Sequence, residues 1–545
     1  MRDMKNGTQK SGIENIQKVF SAKYLLNLIR EYKERHKNDI RKIAVLVAFG
    51  LVSAIMLQER AGAGYFIGSF LVASIILLIF YKDIRRYNPG YLRDYKMLLL
   101  LGILVTGTLL TGRVFAYILS GLSRGLDFPD GISVIFGIPI PIGAMLVTLI
   151  FDFHTAIIFS FAISLLTGIW LNNPFYPVYA FIGSLTAAFG VLRCRKRSAL
   201  LKGGLYVSAV NVVTSGIILL LSGALFSNAA PPSFLFAAVS GLMVSAMISL
   251  VLPVIEYAFG ITTDISLVEL LDLDQPLMHN LMIAAPGTYH HSVIVGNLAE
   301  AAAEAVGANP LLARVTAYYH DIGKIKMPEY FVENQASTVS KHEKLAPHMS
   351  SMILTSHVKE GIELARHYKL PRLVTDIIQQ HHGTSLITFF YQKAIEQQTG
   401  DMVLQGNYRY PGPRPQTRVA AIVMMADAVE AASRALTEPT PARISALVDR
   451  IINNIFLDGQ IDDCELTLKD ISEVKKRFTY ILTSIFHKRI EYPEIDLKGS
   501  SHKAAPRTEL PAFESTVLRN PEVFSAQGNG NSDKEQPKAH KDKPA

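Results

Sequence analysis

The feature that most limits how this 545-residue chain can fold is a series of apolar runs between residues about 43 and 260. Hydrocarbon offers no water to backbone amides, so such runs must satisfy their own hydrogen bonds as helices. Crossing a bilayer takes about 20 mostly apolar residues. Eight stretches are candidates: roughly 43–58, 64–81, 97–121, 132–151, 155–171, 175–192, 203–226 and 233–259. The first and fifth are short, and the boundary between the fourth and fifth, around Asp152-Phe153-His154, is the least distinct.

Basic residues collect on the cytoplasmic side of membrane proteins. Here they cluster before the first run, between the second and third (Lys82, Arg85, Arg86, Arg93, Lys96), and between the sixth and seventh (Arg193, Arg195, Lys196, Arg197, Lys202). The alternate loops are short and poor in Lys and Arg. An even number of spans with these signs predicts both termini inside. The polar segment before the first run is too long for a secretory n-region, and no small-residue cleavage site follows, so the first run is expected to remain as an anchor. The net charge of +8 is accounted for by topology and does not call for a nucleic-acid polymer. Cys194 and Cys464 lie far apart beside charged residues, which fits a reducing compartment and no disulfide framework.

Within the membrane half, Arg113, Asp152, His154 and Glu256 are charged or titratable, and such groups are functional candidates or internally paired. No paired set of broken helices with matching charges is evident, which disfavours a transporter. Beyond residue 260 the pattern is helical nearly throughout. Thr263 or Asp264 caps an amphipathic helix over Ile265–Leu273. Helical spacing follows in His291–Val306, Leu311–Asp321, Ser350–His357, Leu370–His381, Val419–Ala435, Ile444–Ile455 and Leu466–Ile490. The fold class is all-α. Tyr391–Pro415 reads as a long irregular excursion, and the Ser-, Lys-, Pro- and Gly-rich tail as disordered.

The chemistry centres on Tyr318-Tyr319-His320-Asp321-Ile322-Gly323-Lys324. His290-His291 precedes it; His357, His381-His382 and Asp427 follow. Imidazole and carboxylate without thiolate suit Mn, Fe or Zn. Seven such groups exceed what one ion needs and suggest two, an arrangement that serves phosphodiester cleavage by lowering the pKa of water. We assign His291, His320, Asp321 and Asp427 to one ion, with Asp321 bridging to a second held by His357, His381 and His382. Spacing leaves His290 as a competitor of His291, and His342 and His348 as competitors of His357. His279 and His367 read as helix-surface residues. Lys324, one turn beyond the pair, is placed to offset charge on a reacting phosphate. Tyr410 is a candidate to cover a base and Arg414 to touch a phosphate. Arg418 and Arg434 read equally well as phosphate contacts or solvated helix faces.

These residues, in this order, resemble the HD superfamily of metal-dependent phosphohydrolases. Ala285-Pro286-Gly287-Thr288-Tyr289-His290-His291-Ser292, Thr355-Ser356-His357-Val358, Gln379-Gln380-His381-His382-Gly383-Thr384, Tyr410-Pro411-Gly412-Pro413 and Met424-Met425-Ala426-Asp427-Ala428-Val429-Glu430-Ala431 look like the seven-transmembrane HD family of bacterial membrane proteins. The resemblance implies a cytoplasmic all-α phosphodiesterase with two divalent ions, Mn or Fe, that hydrolyses cyclic di-AMP to linear pApA. It places ligands at His291, His320, Asp321, His357, His381, His382 and Asp427, while the residues themselves point to Asp321 and Lys324 as catalytic and to Lys324, Tyr410 and Arg414 as substrate contacts. It prefers His357 to His348. The family also carries a large extracellular domain after its first span, where this sequence has only Gln58–Gly64.

The expected organisation is a cytoplasmic basic segment (1–42), a transmembrane domain of about eight spans (43–260), a juxtamembrane linker helix (261–285), an HD phosphohydrolase domain (286–495) and a disordered tail (496–545). The expected setting is a bacterial plasma membrane, with lipid and a cyclic dinucleotide as partners. A homodimer is compatible with the sequence. Two other readings stand beside this one. One is an HD enzyme for cyclic di-GMP, although the Gly-Tyr-Pro word expected after its paired histidines is replaced here by Gly383-Thr384-Ser385. The other is a membrane receptor that binds a nucleotide without cutting it.

Overall fold

The computed structural model describes residues 39–59, 62–92, 95–128, 132–335, 340–397 and 403–486. Most of the basic N-terminal segment, Arg93, the end of the helix expected to reach Ile490, and the tail expected from 496 lie outside the described residues. Helices make up the fold, as the periodicity predicts; among the described residues the only β feature is an isolated bridge between Leu386 and Arg409.

The apolar half comprises α1 (Asp39–Leu57), α2 (Ala63–Tyr87), α3 (Tyr95–Gly125), α4 (Ile132–Ile135), α5 (Pro141–Ile150), α6 (Phe153–Leu171), α7 (Tyr176–Gly190), α8 (Arg197–Leu221) and α9 (Ala230–Phe259). Six of these (α1, α2, α3, α6, α8 and α9) are long and apolar enough to cross a membrane. The fourth apolar stretch, read as one run over 132–151, is broken into α4 and α5. Hydropathy does not register the cause: Pro139 and Pro141 lack an amide hydrogen and Gly137 does not favour helix. The irregular backbone between them is buried in protein, and the Phe136 carbonyl accepts a hydrogen bond from Tyr179 Oη at 2.6 Å. Non-helical backbone at membrane depth is tolerated under those conditions. Small residues bring α8 and α9 together: a Cβ added at Gly204 would lie 2.5 Å from the Gly241 carbonyl oxygen.

The four charged or titratable residues singled out in this half each have a partner. Arg113 donates to the carbonyls of Met56 (2.5 Å) and Gln58 (2.8 Å) at the end of α1, with Trp170 against its guanidinium. Asp152 caps α6 by accepting from the Thr155 amide, His154 meets Asp83 at 3.0 Å, and Glu256 accepts from Thr263 Oγ1.

After Gly260, in the left-handed conformation at the end of α9, the chain enters α10 (Asp264–Leu270) and α11 (Pro276–Ala284). Thr263 is the cap that accepts from the Ser266 amide. Then come α12 (Pro286–Ala305), α13 (Pro310–Tyr319), α14 (Pro347–His367), α15 (Arg372–Gln380), α16 (Thr388–Glu396), α17 (Arg418–Ser433), α18 (Pro441–Leu457) and α19 (Leu468–Ile485). Proline in the first turn starts five of these ten helices, where its missing amide costs nothing. The α14 helix runs ten residues past His357, and α16 occupies part of the expected excursion. One core joins α12, α17, α18 and α19 through residues such as Val295, Ile422, Ile452 and Phe478. A second joins α10 and α11 to α13 and α15 through Leu267, Leu281, Val315, Tyr319 and Ile378. Arg197 at the start of α8 forms a forked ion pair with Glu269 of α10.

Candidate metal centre

Two helices end directly before the His-Asp and His-His pairs. In α13 the last residue is Tyr319; His320 closes the turn and Asp321 leads into a 3-10 turn over Ile322–Lys326. In α15 the last residue is Gln380, His381 closes the turn, and Gly383 at φ +51° reverses the chain after His382. A left-handed residue there suits glycine. Each helix end therefore delivers two adjacent side chains to one centre, which a continuous helix would point about 100° apart.

The seven predicted ligands converge. His291, His320, Asp321 and Asp427 form one group, and Asp321, His357, His381 and His382 another; within each, one ligand atom per residue lies within 4.8 Å of the others. Asp321 belongs to both through different oxygens. Its Oδ2 lies 3.1 Å from His320 Nε2 and 3.6 Å from His291 Nε2, while its Oδ1 lies 3.3 Å from His357 Nε2 and 3.6 Å from His381 Nε2. Asp427 Oδ1 is 2.9 Å from His291 Nε2, and its Oδ2 is 3.6 Å from His382 Nδ1. His382 is half-buried and the other six are buried.

The histidine tautomers fit metal binding. The Nδ1 groups of His320, His357 and His381 lie 2.6, 2.5 and 2.7 Å from the carbonyls of Ala317, Leu354 and Ile378. Carbonyls only accept, so each Nδ1 carries the hydrogen and each Nε2 presents a lone pair to the centre. His291 is oriented likewise by Glu430, whose Oε2 accepts from its Nδ1. His320 Nε2 and Asp321 Oδ1 are fully buried without a hydrogen-bond partner. Burying polar atoms in this way is costly unless something coordinates them. Nitrogen and carboxylate donors of this kind fit a divalent transition ion.

The charges agree. Burial would raise the Asp321 carboxyl, but His320 and Lys324 hold it well below the ordinary carboxylate range. Burial opposes ionisation of Asp427 as well, and the neighbouring imidazoles of His291, His320 and His382 outweigh it. Burial pushes His357 down to about 3 and His382 well below its usual value, so both are neutral, as ligands would have to be. His320 goes the other way: its burial is outweighed by Asp321 and Asp427, which raise it to about 10.

The competitors lie elsewhere. His290, His279, His348 and His367 are exposed, and His342 Nε2 is 2.9 Å from the Tyr330 carbonyl. Lys324 is at the centre, with Nζ 2.7 Å from Asp321 Oδ2 and 2.8 Å from Glu333 Oε1. Tyr410 stacks on His382 at 4.2 Å and lines the adjoining cavity of about 760 Å³. Arg414 does not line that cavity: its guanidinium reaches Asp462 at 3.6 Å. The arginine lining the cavity is Arg434. Arg418 ties the Glu465 and Val306 carbonyls and Asp470 together, a packing role. Sequence reasoning gave no role to Glu430 or Glu333. A signal for Glu430 existed: it is a lone carboxylate one turn after Asp427 in a run of Ala, Val and Met. Glu333 sits in an irregular segment with no such signal.

Comparison with known proteins agrees with this layout. Residues 64–263 match the family described as 7TM receptor with intracellular HD hydrolase, and residues 288–432 match the HD domain. The chain thus matches the seven-transmembrane HD family in both its membrane half and its HD domain. Among its relatives is "Cyclic-di-AMP phosphodiesterase PgpH" of Bacillus subtilis (strain 168), 38% identical over 432 residues, covering 78% of this chain and 59% of that protein. The protein of the same name from Listeria monocytogenes serotype 1/2a (strain 10403S) is 40% identical over 343 residues, covering 62% and 47%. The chain thus matches roughly half to three-fifths of the length of these relatives. The crystal structure of the L. monocytogenes PgpH HD domain in complex with cyclic-di-AMP is 47% identical over 40% of this chain and 100% of that chain, with a TM-score of 0.38.

Proposed function

We propose that this protein is a membrane-anchored, metal-dependent phosphodiesterase that hydrolyses cyclic di-AMP to linear pApA on the cytoplasmic face. The observation that carries the reading is the pair of ligand groups sharing Asp321, with lone pairs turned inward by backbone carbonyls. The names of the family relatives support the substrate, and the basic loops support the orientation. Two divalent ions, Mn or Fe, held by His291, His320, Asp321, Asp427 and by Asp321, His357, His381, His382, would supply Lewis acidity and an acidified water.

The remaining steps belong to side chains. Lys324 carries a fixed positive charge beside Asp321, stabilised there by Asp321 and Glu333, and can neutralise charge that develops on a phosphate oxygen. Glu333 holds that ammonium in place, and is itself held by Thr288 Oγ1 at 3.0 Å. Tyr410 and the apolar wall containing Phe331, Leu354 and Ile387 narrow water access and offer surfaces to a base.

The test is to incubate detergent-purified protein and Mn with equal cyclic di-AMP and cyclic di-GMP, beside a His320→Ala, Asp321→Ala double variant. Linear pApA from the unaltered protein alone is the expected result. Cleavage of cyclic di-GMP alone would keep the metal chemistry and overturn the base assignment. Bound metal without turnover of either would favour a nucleotide receptor.

A further inference from the structure

The α17 helix does more than supply Asp427. Asp427, Glu430 and Arg434 follow one another at three- and four-residue spacing, so they lie along one helix face, and all three line the cavity. Beside them Ala428, Ala431 and Ala435 end at Cβ, which leaves the floor open beyond the Asp427 carboxylate. Arg434 lies about 10 Å along the helix from Asp427. Its guanidinium is fixed there: Nε and Nη2 both donate to Glu430 Oε1, at 2.8 and 2.7 Å. Glu430 is buried and its other oxygen accepts from His291 Nδ1. One carboxylate therefore positions a metal ligand and an arginine together. The Nη1 edge of Arg434 has no protein partner among the described residues.

A single phosphodiester at the metal centre needs none of this. A cyclic dinucleotide carries two phosphodiesters in one ring, and only one reacts at a time. We propose that Arg434, held by Glu430, anchors the second, non-reacting phosphodiester, with Glu430 acting as a positioning residue for both ends of the substrate. This rests on the cyclic dinucleotide reading above. A guanidinium offers paired donors that match phosphate oxygens, which a lysine in its place lacks.

The experiment compares two substrates on the full-length protein: cyclic di-AMP, and bis(4-nitrophenyl) phosphate, which has one phosphodiester. In Arg434→Ala, the ratio of kcat/KM for cyclic di-AMP to that for the small diester should fall roughly ten- to a hundredfold, the range of a charge-assisted hydrogen bond. The fall should lie mainly in KM, because the contact exists equally before and during reaction. Binding of a phosphorothioate cyclic di-AMP analogue, measured by calorimetry, should weaken by a similar factor, and Arg434→Lys should recover part of it. A ratio unchanged within twofold, or an equal loss on both substrates, would overturn the anchor and leave the hydrolase reading intact. Turnover of the small diester without cyclic di-AMP by the unaltered protein would remove the cyclic dinucleotide reading and the anchor with it.

Discussion

Replacing Gly323 with alanine tests how the centre is assembled without touching a ligand. A Cβ at Gly323 would lie 1.8 Å from the His357 carbonyl oxygen and 2.6 Å from the Gly361 amide. Ordinary contact begins at 3.4 Å, so the 3-10 turn after Asp321 and the α14 backbone would have to part by about 1.6 Å. Neither neighbour is a flexible side chain that can swing aside. Overpacking of this kind costs about 1–3 kcal/mol, which for a domain of this size lowers Tm by about 2–12 °C. The displacement also separates Asp321 Oδ1 from His357 Nε2, now 3.3 Å apart. A misplacement of about 1 Å can cost about a hundredfold in rate. The assay is thermal unfolding with and without Mn, together with bound metal per chain and hydrolysis rate. Gly406→Ala is the control, since its Cβ would meet nothing within 4 Å. If Gly323→Ala melts within 1 °C of the unaltered protein and keeps its metal and its rate within threefold, close backbone approach is not what this glycine provides.

Four further outcomes follow from the structure. Glu430→Gln removes the carboxylate that fixes His291, so metal affinity should fall about 10- to 100-fold, read by competition with a chromophoric chelator. Metal uptake should release protons near neutral pH, because Asp427 and Glu430 raise His291 and the carboxylates raise His320 to about 10; affinity should therefore rise with pH, as calorimetry in buffers of different ionisation enthalpy would detect. By the same sign, metal-free protein should lose stability as pH rises from the unfolded histidine value of about 6.5 towards 10, a window in which His357 and His382 are neutral whether folded or not. Arg113→Leu should shift the fluorescence of Trp170, the single tryptophan of the chain, since the guanidinium stands 5.4 Å from its ring.

How much of this was legible in the sequence depends on whether the signal was local. His320-Asp321 and His381-His382 are adjacent pairs followed by a turn-forming Gly, and Asp427 is a charge inside an apolar helix; each can be seen in a short window. Their convergence is set by tertiary packing, which the order of the words suggested through resemblance and the structure supplies in distances. Hydropathy found every apolar stretch but not the break in the fourth, because Ile138 and Ile140 are as apolar as a helix would be while the flanking prolines decide the backbone. Arg414 and Arg434 were indistinguishable as cations. Only the fold turns one towards Asp462 and the other into the cavity. Glu333 acts on Lys324 from nine residues away in an irregular segment, and no periodicity reports such a contact.

The packing of α10 and α11 has a practical consequence. The HD match begins at residue 288 and ends at 432, yet Leu267, Leu277 and Leu281 are buried against Val315 and Tyr319, and Tyr319 Oη donates to the Leu270 carbonyl one residue before His320. Phe478 and Val474 of α19 complete the core on the other side. A soluble fragment cut at the matched limits would expose both apolar surfaces and leave the tyrosine beside His320 without its acceptor. One that runs from Thr263 to Phe486 keeps the helix cap, both cores and the metal centre, and is the piece to express when the membrane half is to be left behind.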